Sequence, residues 1–111
     1  MNTIIRHGRE RTKRGILQSF DDLPVPAQET FKAIAKELHA IESSVTNVYV
    51  FGSYHWGVWD EQSDYDVRIH DDPTEALMGF KQEFEDKYGC KVDLMWARPS
   101  RHNMNLIKIP V

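Results

Sequence analysis

The segment 64–69 alternates strictly between charged and apolar side chains, and this alternation constrains the fold more than any other feature of the chain. Successive side chains of a β-strand point to opposite faces, so this strand has one charged and one apolar face. The charged residues are Asp64, Asp66 and Arg68, and the apolar residues are Tyr65, Val67 and Ile69. The pattern predicts a strand whose apolar face packs in a core while its carboxylates point out of that core.

The other elements are predicted from apolar periodicity and from Pro and Gly at their ends. They are a helix from Pro26 to about Glu42, a strand at Val48–Phe51, a helix capped by Asp72 and closed by Gly89 with an apolar stripe that includes Tyr88, a strand from Lys91 to Trp96 and a short strand at Leu106–Ile109. Residues 54–63 are expected to form a loop. This order predicts an α/β (α+β) fold, a small mixed β-sheet of three to four strands flanked by helices.

Charge is distributed unevenly along the 111 residues. The first 20 residues carry five Lys/Arg and one Glu, and the remainder carries nine Lys/Arg and sixteen Asp/Glu, which makes the body acidic. We predict a basic arm over residues 1–22, solvated and partly mobile, and a single domain over 23–111. An acidic body argues against a broad nucleic-acid interface, although the arm itself could contact a phosphate backbone or an acidic partner.

Two further features bear on location. The longest unbroken apolar run, Val48–Phe51, is far too short to span a membrane. The N-terminus lacks the apolar stretch of a secretory signal, and Cys90 is the single cysteine, so no disulfide can form within the chain. We therefore expect a cytoplasmic protein.

The pair Asp64 and Asp66 is the first candidate for chemistry. On one strand face the two lie roughly 6.6 Å apart, and like charges at that spacing repel. Solvent, Arg68, a proton or a cation must compensate. Mg²⁺ prefers a few carboxylates together with water and phosphate oxygens, and two such ions can clamp the attacking and leaving oxygens of a phosphoryl-type transfer. Taken alone, the pair is more typical of an exposed strand face or a turn than of a metal site.

The dipeptide Gly52-Ser53 directly follows the predicted buried strand at 48–51. Glycine permits positive φ and a close approach of the backbone to a ligand. Successive N–H groups after a strand can hold an anion, and the Ser53 hydroxyl adds a donor for a phosphate oxygen. The simpler interpretation of this dipeptide alone is a turn that ends a strand.

Together the two elements carry more information than either alone. Gly52-Ser53 and Asp64-x-Asp66 are separated by ten residues, with Gly57 in the loop and Ser63 before the first aspartate. This arrangement resembles the signature of the minimal nucleotidyltransferases of the DNA polymerase β superfamily. The resemblance extends over about residues 48–96 and implies a nucleotidyltransferase-like fold.

The resemblance also implies a third carboxylate on a later strand. Asp93 fits because it alternates with Val92 and Leu94 and would face out of the core, although an aspartate on an edge strand can also serve only to keep the sheet soluble. In the implied reaction a nucleoside monophosphate, AMP from ATP, passes to an acceptor hydroxyl. Gly52 and Ser53 would hold phosphates.

The implied cofactor is Mg²⁺, as two ions. Asp64 and Asp66 would hold the metal, and Asp93 would share the second ion and help to deprotonate the acceptor. Catalysis would rest on positioning and on neutralisation of charge.

The loop departs from the family pattern at two positions. Many members carry Arg where this chain has Tyr54 and Trp56. Arg68 is a candidate nucleotide ligand in their place, or it forms a salt bridge with a neighbouring carboxylate. Tyr54, Trp56 and Trp59 either stack on a base or a partner, or pack the loop onto the body, which we favour. We expect His55 to be a surface residue.

Among relatives of this size, the resemblance points to the antitoxin half of HEPN/MNT toxin–antitoxin pairs, which transfer AMP to a tyrosine of the partner toxin. A catalytic module without a substrate domain is consistent with a protein acceptor. Two alternatives remain open. One is nucleotide transfer to a small hydroxylated molecule, and the other is a binding module that acts by forming a stoichiometric complex.

Overall fold

The computed structural model describes residues 2–6, 9–13, 15–97 and 106–110, and its helices and strands alternate along most of that length. In chain order they are β1 (Asn2–Arg6), β2 (Arg9–Lys13), α1 (Val25–Ile41), β3 (Val48–Phe51), α2 (Gly52–Trp56), β4 (Tyr65–Ile69), α3 (Phe80–Tyr88) and β5 (Val92–Trp96). Short 3₁₀ turns lie at Phe20–Asp22 and Glu75–Leu77. This confirms the predicted fold class, a small mixed sheet flanked by helices.

The central sheet has the strand order β3, β4, β5. β3 runs antiparallel to β4, and β4 runs parallel to β5. The predicted C-terminal strand is present as a short antiparallel bridge on the free edge of β3. There the Val50 N–H donates to the Ile107 carbonyl at 2.9 Å, and the Ile109 N–H donates to the Val48 carbonyl at 2.8 Å. Four segments therefore form the sheet.

The core lies on one face of this sheet, where α1 packs. The buried residues of α1 are Ala27, Phe31, Ile34, Ala35 and Leu38, at the spacing that the sequence predicts. Val48, Val50, Val67 and Ile69 are completely buried among the strand residues. The predicted alternation of β4 is confirmed, since its apolar residues face this core and its charged residues lie on the opposite face. Burial on that scale stabilises each large side chain by about 1.5–3 kcal/mol.

The predicted start of the second helix is wrong. α3 begins at Phe80, and the segment after Asp72 forms only a 3₁₀ turn in which Thr74 makes no side-chain capping bond. The chain then turns at Gly79, whose φ of +89° favours glycine and allows the helix to begin there. The end of the helix is confirmed, because Gly89 terminates it in the left-handed conformation. Tyr88, which the sequence places in the apolar stripe, is 45% exposed.

The carboxylate next to the predicted cap takes part in a tertiary contact. Asp71 accepts hydrogen bonds from the backbone N–H groups of Thr46 and Asn47 at 3.0 and 2.9 Å. The end of β4 is thereby tied to the loop before β3. Capping residues at 72–75 are present in the sequence without the helix that they usually begin.

The N-terminal segment contains two strands, and its last residues pack against the core. β1 and β2 pair antiparallel, from Asn2 with Lys13 to Arg6 with Arg9. Leu17 and Phe20, which lie inside the predicted arm, are buried in the core. The segment 17–22 therefore packs on the domain, and the mobility of the residues before it stays a prediction. Within the described parts of the chain, no helix has the length and apolar character needed to cross a membrane.

Residues 15–17 are fastened to the C-terminal end of α2. The Leu17 N–H donates to the His55 carbonyl at 2.8 Å. Gly57, which ends α2 with a φ of +73°, lies directly against the backbone of Gly15, since a Cβ added at Gly57 would stand 1.8 Å from the Gly15 carbonyl oxygen. This segment, residues 15–17, is called the strap below.

We expect Gly57→Ala to lower the free energy of unfolding much more than Gly89→Ala. Both glycines have nearly the same positive φ, and alanine costs about 1–2 kcal/mol in that conformation. A Cβ added at Gly89 meets open space, so the Gly89→Ala variant measures the cost of the backbone conformation alone. Urea unfolding of the two variants gives the difference, and equal losses would contradict the close packing of the strap on Gly57.

Candidate active site

Three aspartates meet on the face of the sheet opposite α1. The register of the parallel pair places Asp66 on β4 directly beside Asp93 on β5, and Asp64 immediately precedes β4. One carboxylate oxygen from each lies within 4.8 Å of the others. Asp64 and Asp93 are exposed, and Asp66 is half-buried between them. The structure therefore brings together the three carboxylates that the sequence proposes, and their role stays a prediction.

The cluster carries an excess of negative charge. Partial burial raises the pKa of Asp66 to about 6, and the nearby Asp93 and Asp64 add to that rise. Within residues 15–97 and 106–110 no Lys or Arg forms an ion pair with any of the three. Carboxylate oxygens without a paired cation are the kind of ligand that Mg²⁺ prefers. The three residues therefore fit a divalent metal.

The backbone of Gly52 touches this cluster. β3 pairs with β4 so that Phe51 lies opposite Asp66, and α2 begins at the next residue. Gly52 has a φ of +66°, and an added Cβ would stand 1.9 Å from Oδ2 of Asp66. Glycine is needed here for its conformation and for the space that it leaves. The two halves of the sequence motif are thus in direct contact.

The residues after Gly52 form a helix where the sequence predicts a loop. α2 covers 52–56, so only the rest of the predicted 54–63 loop is irregular. The first N–H groups of a helix have no partner within it, and Ser53 lies half-buried at this end. The predicted anion cradle at Gly52-Ser53 therefore coincides with the start of a helix, which is where such groups bind anions.

Ser63 closes the turn that leads into Asp64. Its hydroxyl accepts a hydrogen bond from the Asp60 N–H at 2.8 Å and donates to the Asp60 carboxylate at 3.3 Å. The Ser63 N–H donates to the Asp60 carbonyl at 3.2 Å. This turn ends the loop and starts β4, so Ser63 positions the aspartate pair.

Most of the loop aromatics pack onto the body, as the sequence analysis favours. Tyr54 is buried, stacks on Trp59 and Tyr65 at ring distances of 5.3 and 5.2 Å, and meets Phe31 edge to face. Trp56 is different, because half of its side chain is exposed. Of the two residues that stand where relatives carry Arg, one belongs to the core and one remains at the surface.

The expectation that His55 is a surface residue is wrong. It is 5% exposed, and its ring stacks on Phe51 and meets Trp56 edge to face. Burial lowers the pKa of His55, and its Nδ1 has no partner among the described residues. The sequence holds a signal for this packing, since residues four apart, here 51 and 55, adjoin when a helix begins between them.

Arg68 lies on the same face as the aspartates. Its guanidinium carbon stands 5.6 Å from the centre of the Phe51 ring, and its Nε is buried. The salt bridge weighed in the sequence analysis is absent, since no carboxylate of the described residues pairs with Arg68. The nucleotide-binding role of Arg68 stays a prediction.

A cavity of about 370 Å³ opens over the cluster, within the size range of small ligand sites. Its lining combines two carboxylates with apolar walls: Phe51, Gly52, Asp66, Val67, Asp93, Leu94 and Met95. Lys81 on α3 stands close enough to lower the pKa of Asp66, and the sequence analysis did not single it out. Its only sequence signal is the spacing of four residues to Glu85, which is typical of a helical ion pair.

Comparison with known proteins agrees with this geometry. A family model described as a nucleotidyltransferase domain matches residues 29–109, a range that contains most of α1, the central sheet and all three aspartates. No curated protein matches the chain at a significant level.

We expect Asp66→Asn to raise the free energy of unfolding at pH 8 in metal-free buffer and to leave it nearly unchanged near pH 4. The folded-state pKa of about 6 lies above the ordinary 3.8, so the folded state binds this proton more tightly than the unfolded state. The stability that this bound proton gives to the wild-type fold is complete below pH 4 and is lost as the pH rises through 6. The gain at pH 8 should be on the order of 1 kcal/mol, since partial exposure screens the charges.

The measurement is the difference between wild type and variant in urea unfolding at a series of pH values. Asp72→Asn is the control, because Asp72 is exposed and lies outside the cluster. A difference that does not vary with pH would contradict the shifted pKa of Asp66.

Proposed function

The chain belongs to the nucleotidyltransferase domain family, and from that premise we propose that it transfers AMP from ATP to a hydroxyl group of a partner protein. The observation that carries the proposal is the convergence of three carboxylates within 4.8 Å, against the backbone of Gly52. No requirement of the core explains this placement, because the cluster lies on the face opposite the buried residues. The fold retains three carboxylates that repel one another, and this favours a functional reason for the cluster.

Asp64, Asp66 and Asp93 would hold Mg²⁺, as one or two ions. A metal held there would supply positive charge that offsets the negative charge of the triphosphate. Gly52 and Ser53, at the start of α2, would bind the β- and γ-phosphates through backbone N–H groups and the hydroxyl. Arg68 would add a guanidinium on the same face, where its Nε has no partner among the described residues.

In the proposed reaction the acceptor oxygen forms a bond to the α-phosphorus of ATP, and the bond from that phosphorus to the bridging oxygen breaks. Pyrophosphate leaves with the bonding electron pair. Asp93 is exposed beside the cavity and would accept the proton of the acceptor hydroxyl. Asp66 is more buried than Asp93, so a role in metal binding suits Asp66 better than proton transfer.

A protein acceptor is supported by the exposure of the candidate site at the surface. Asp93, which lines the cavity, is exposed, and Trp56 on α2 presents half of its side chain to solvent. By its resemblance to MNT antitoxins, the partner would be a HEPN-type toxin that offers a tyrosine. Such a partner would complete the site from outside.

A binding module is the second candidate, and the loop favours it. Tyr54 and Trp56 replace two arginines of many relatives, and the structure commits Tyr54 to the core. This chain would therefore place less positive charge near the bound phosphates than those relatives do. The cluster of carboxylates argues for catalysis, since stoichiometric binding gives no reason to bring these groups together.

We expect Asp64→Asn, Asp66→Asn and Asp93→Asn each to reduce transfer of label from α-labelled ATP to the partner by at least about a hundredfold. Each removes one charge and one metal-binding oxygen from the cluster while keeping the shape of the side chain. The assay contains Mg²⁺ and the product of a neighbouring gene, and is compared with a reaction without that product. Asp72→Asn should transfer at the wild-type rate.

Two outcomes of this assay would count against the assignment. If the Asp93 variant transfers label at the wild-type rate, Asp93 is not part of the site, and only Asp64 and Asp66 remain as candidates. Transfer that persists in all three variants would mean that the cluster is not the reactive centre.

A titration of the partner separates the enzyme from the binder. We expect a small amount of wild-type protein with Mg²⁺ and ATP to modify an excess of partner, which would gain mass in whole AMP units. The partner should stay inactive after this chain is removed, because the modification is covalent. Asp64→Asn should bind the partner without inactivating it.

The binding hypothesis predicts the opposite pattern. Inactivation would then require equal amounts of the two proteins, would not depend on ATP and would survive Asp64→Asn. Mass spectrometry of the partner and an assay of its activity decide between the two.

A further inference from the structure

The start of β5 is held from its outer side by two side chains of α3. The Val92 N–H donates to Oε2 of Glu85 at 2.8 Å, and Nζ of Lys81 donates to the Val92 carbonyl at 2.7 Å. Lys81 and Glu85 are themselves joined by an ion pair of 2.7 Å. These three residues form a closed ring of hydrogen bonds, and the two side chains are called the clamp below.

The clamp acts on backbone groups that the central sheet does not use. β4 and β5 are parallel, and the backbone of Lys91, directly before β5, faces β4. The Lys91 carbonyl accepts a hydrogen bond from the Tyr65 N–H at 2.8 Å. The backbone of the next residue, Val92, points away from β4. Its two groups would lie at the edge of the sheet, and the clamp satisfies both as a neighbouring strand would. The clamp therefore substitutes for a missing strand at one position.

That position is directly before Asp93. Asp93 reaches the cluster only if β5 keeps its register with β4, because a slip by one residue turns the side chain to the other face. The ends of edge strands fray readily when their outer groups are unpaired. Two bonds at Val92 oppose fraying at the residue where it would detach the third carboxylate.

We propose that Lys81 and Glu85 are positioning residues, which hold Asp93 in the metal-binding cluster by gripping the backbone of Val92. The inference rests on the proposed metal site but not on the proposed acceptor or on AMP transfer. It assigns a role in the site to two residues of α3 that the aspartate motif does not include.

The charges of the pair fit a permanent clamp. The hydrogen bond and charge of Lys81, with the bond from the Val92 N–H, lower the pKa of Glu85, and Glu85 in turn raises the pKa of Lys81. Both groups therefore stay ionised around neutral pH. Lys81 also feels the charges of Asp93 and Asp64, so its ammonium group lies on the side of the cluster.

The direction in which Lys81→Met changes the affinity for Mn²⁺ separates a positioning role from a purely electrostatic one. Lys81→Met removes a positive charge near a cation site, and electrostatics alone would then make Mn²⁺ bind more tightly. Loss of the clamp would instead release Asp93 and make Mn²⁺ bind more weakly. We expect the second result, with a rise of about tenfold in the Kd for Mn²⁺ measured by calorimetry, as is typical when support for a metal ligand is removed.

Lys87→Met is the matched control. Lys87 is an exposed lysine of the same helix and also forms an ion pair, with Glu37 at 3.2 Å, but it does not touch β5. Its removal should leave the Kd for Mn²⁺ within about twofold of wild type. Lys81→Arg keeps a donor of similar reach and should recover most of the affinity.

Amide exchange provides a second readout that does not depend on metal. Glu85→Ala should speed the exchange of the Val92 amide and raise the Kd for Mn²⁺, while buried amides of α1 stay protected. Faster exchange at Val92 with an unchanged Kd would overturn the proposal and leave the clamp a purely structural feature. So would tighter or unchanged binding by Lys81→Met, or a wild-type protein that binds no Mn²⁺.

Failure of the proposed function would look different. Wild-type protein that binds Mn²⁺ but transfers no AMP to any partner would refute the transferase, while the effect of the clamp on the Kd would still be measured. The two hypotheses are thus tested by separate results.

Discussion

The register of three neighbouring strands is the constraint on which the site depends. β3 places Phe51 beside Asp66, and β5 places Asp93 on the other side of the same residue. Asp66 is therefore the centre of the site because it is on the central strand. A slip of one residue in either ladder would turn a whole set of side chains to the wrong face. The apolar residues of the opposite face, buried under α1, fix that register through the hydrophobic effect.

The sheet thus carries the core on one face and the acidic cluster on the other. Val67 is completely buried beside Asp66, which is half-exposed on the other face. The buried face stabilises the fold, and the repulsion among three carboxylates opposes it. Such a cost is typical of functional sites, where a favourable arrangement for ligands conflicts with the stability of the empty protein. The raised pKa of Asp66 is the measurable sign of this conflict.

Local patterns in the sequence predict the parts of this structure that local forces determine. The alternation at 64–69 and the spacing in α1 follow from burial of one face, and both are confirmed. The start of α3 is different, because the capping pattern at 72–75 leads only to a 3₁₀ turn and the helix begins after Gly79. His55 is likewise buried only because α2 begins at Gly52 and turns its ring onto Phe51. The contact of Gly52 with Asp66 is also invisible in the sequence, although the fixed spacing of the motif is its consequence.

The distribution of charge around the site explains why backbone groups are so prominent in it. The chain from residue 21 onward is strongly acidic, and residues 54–63, which follow Gly52-Ser53, contain no Lys or Arg. A triphosphate would therefore meet few cations from the protein, with Arg68 on the same face and Lys81 held by Glu85 and Val92. If the aspartates hold a metal as proposed, that metal and the N–H groups at the start of α2 would be the main sources of favourable potential for a triphosphate. Such a site should depend on its metal more strongly than one lined with arginines, which makes the exact placement of Asp93 more important here.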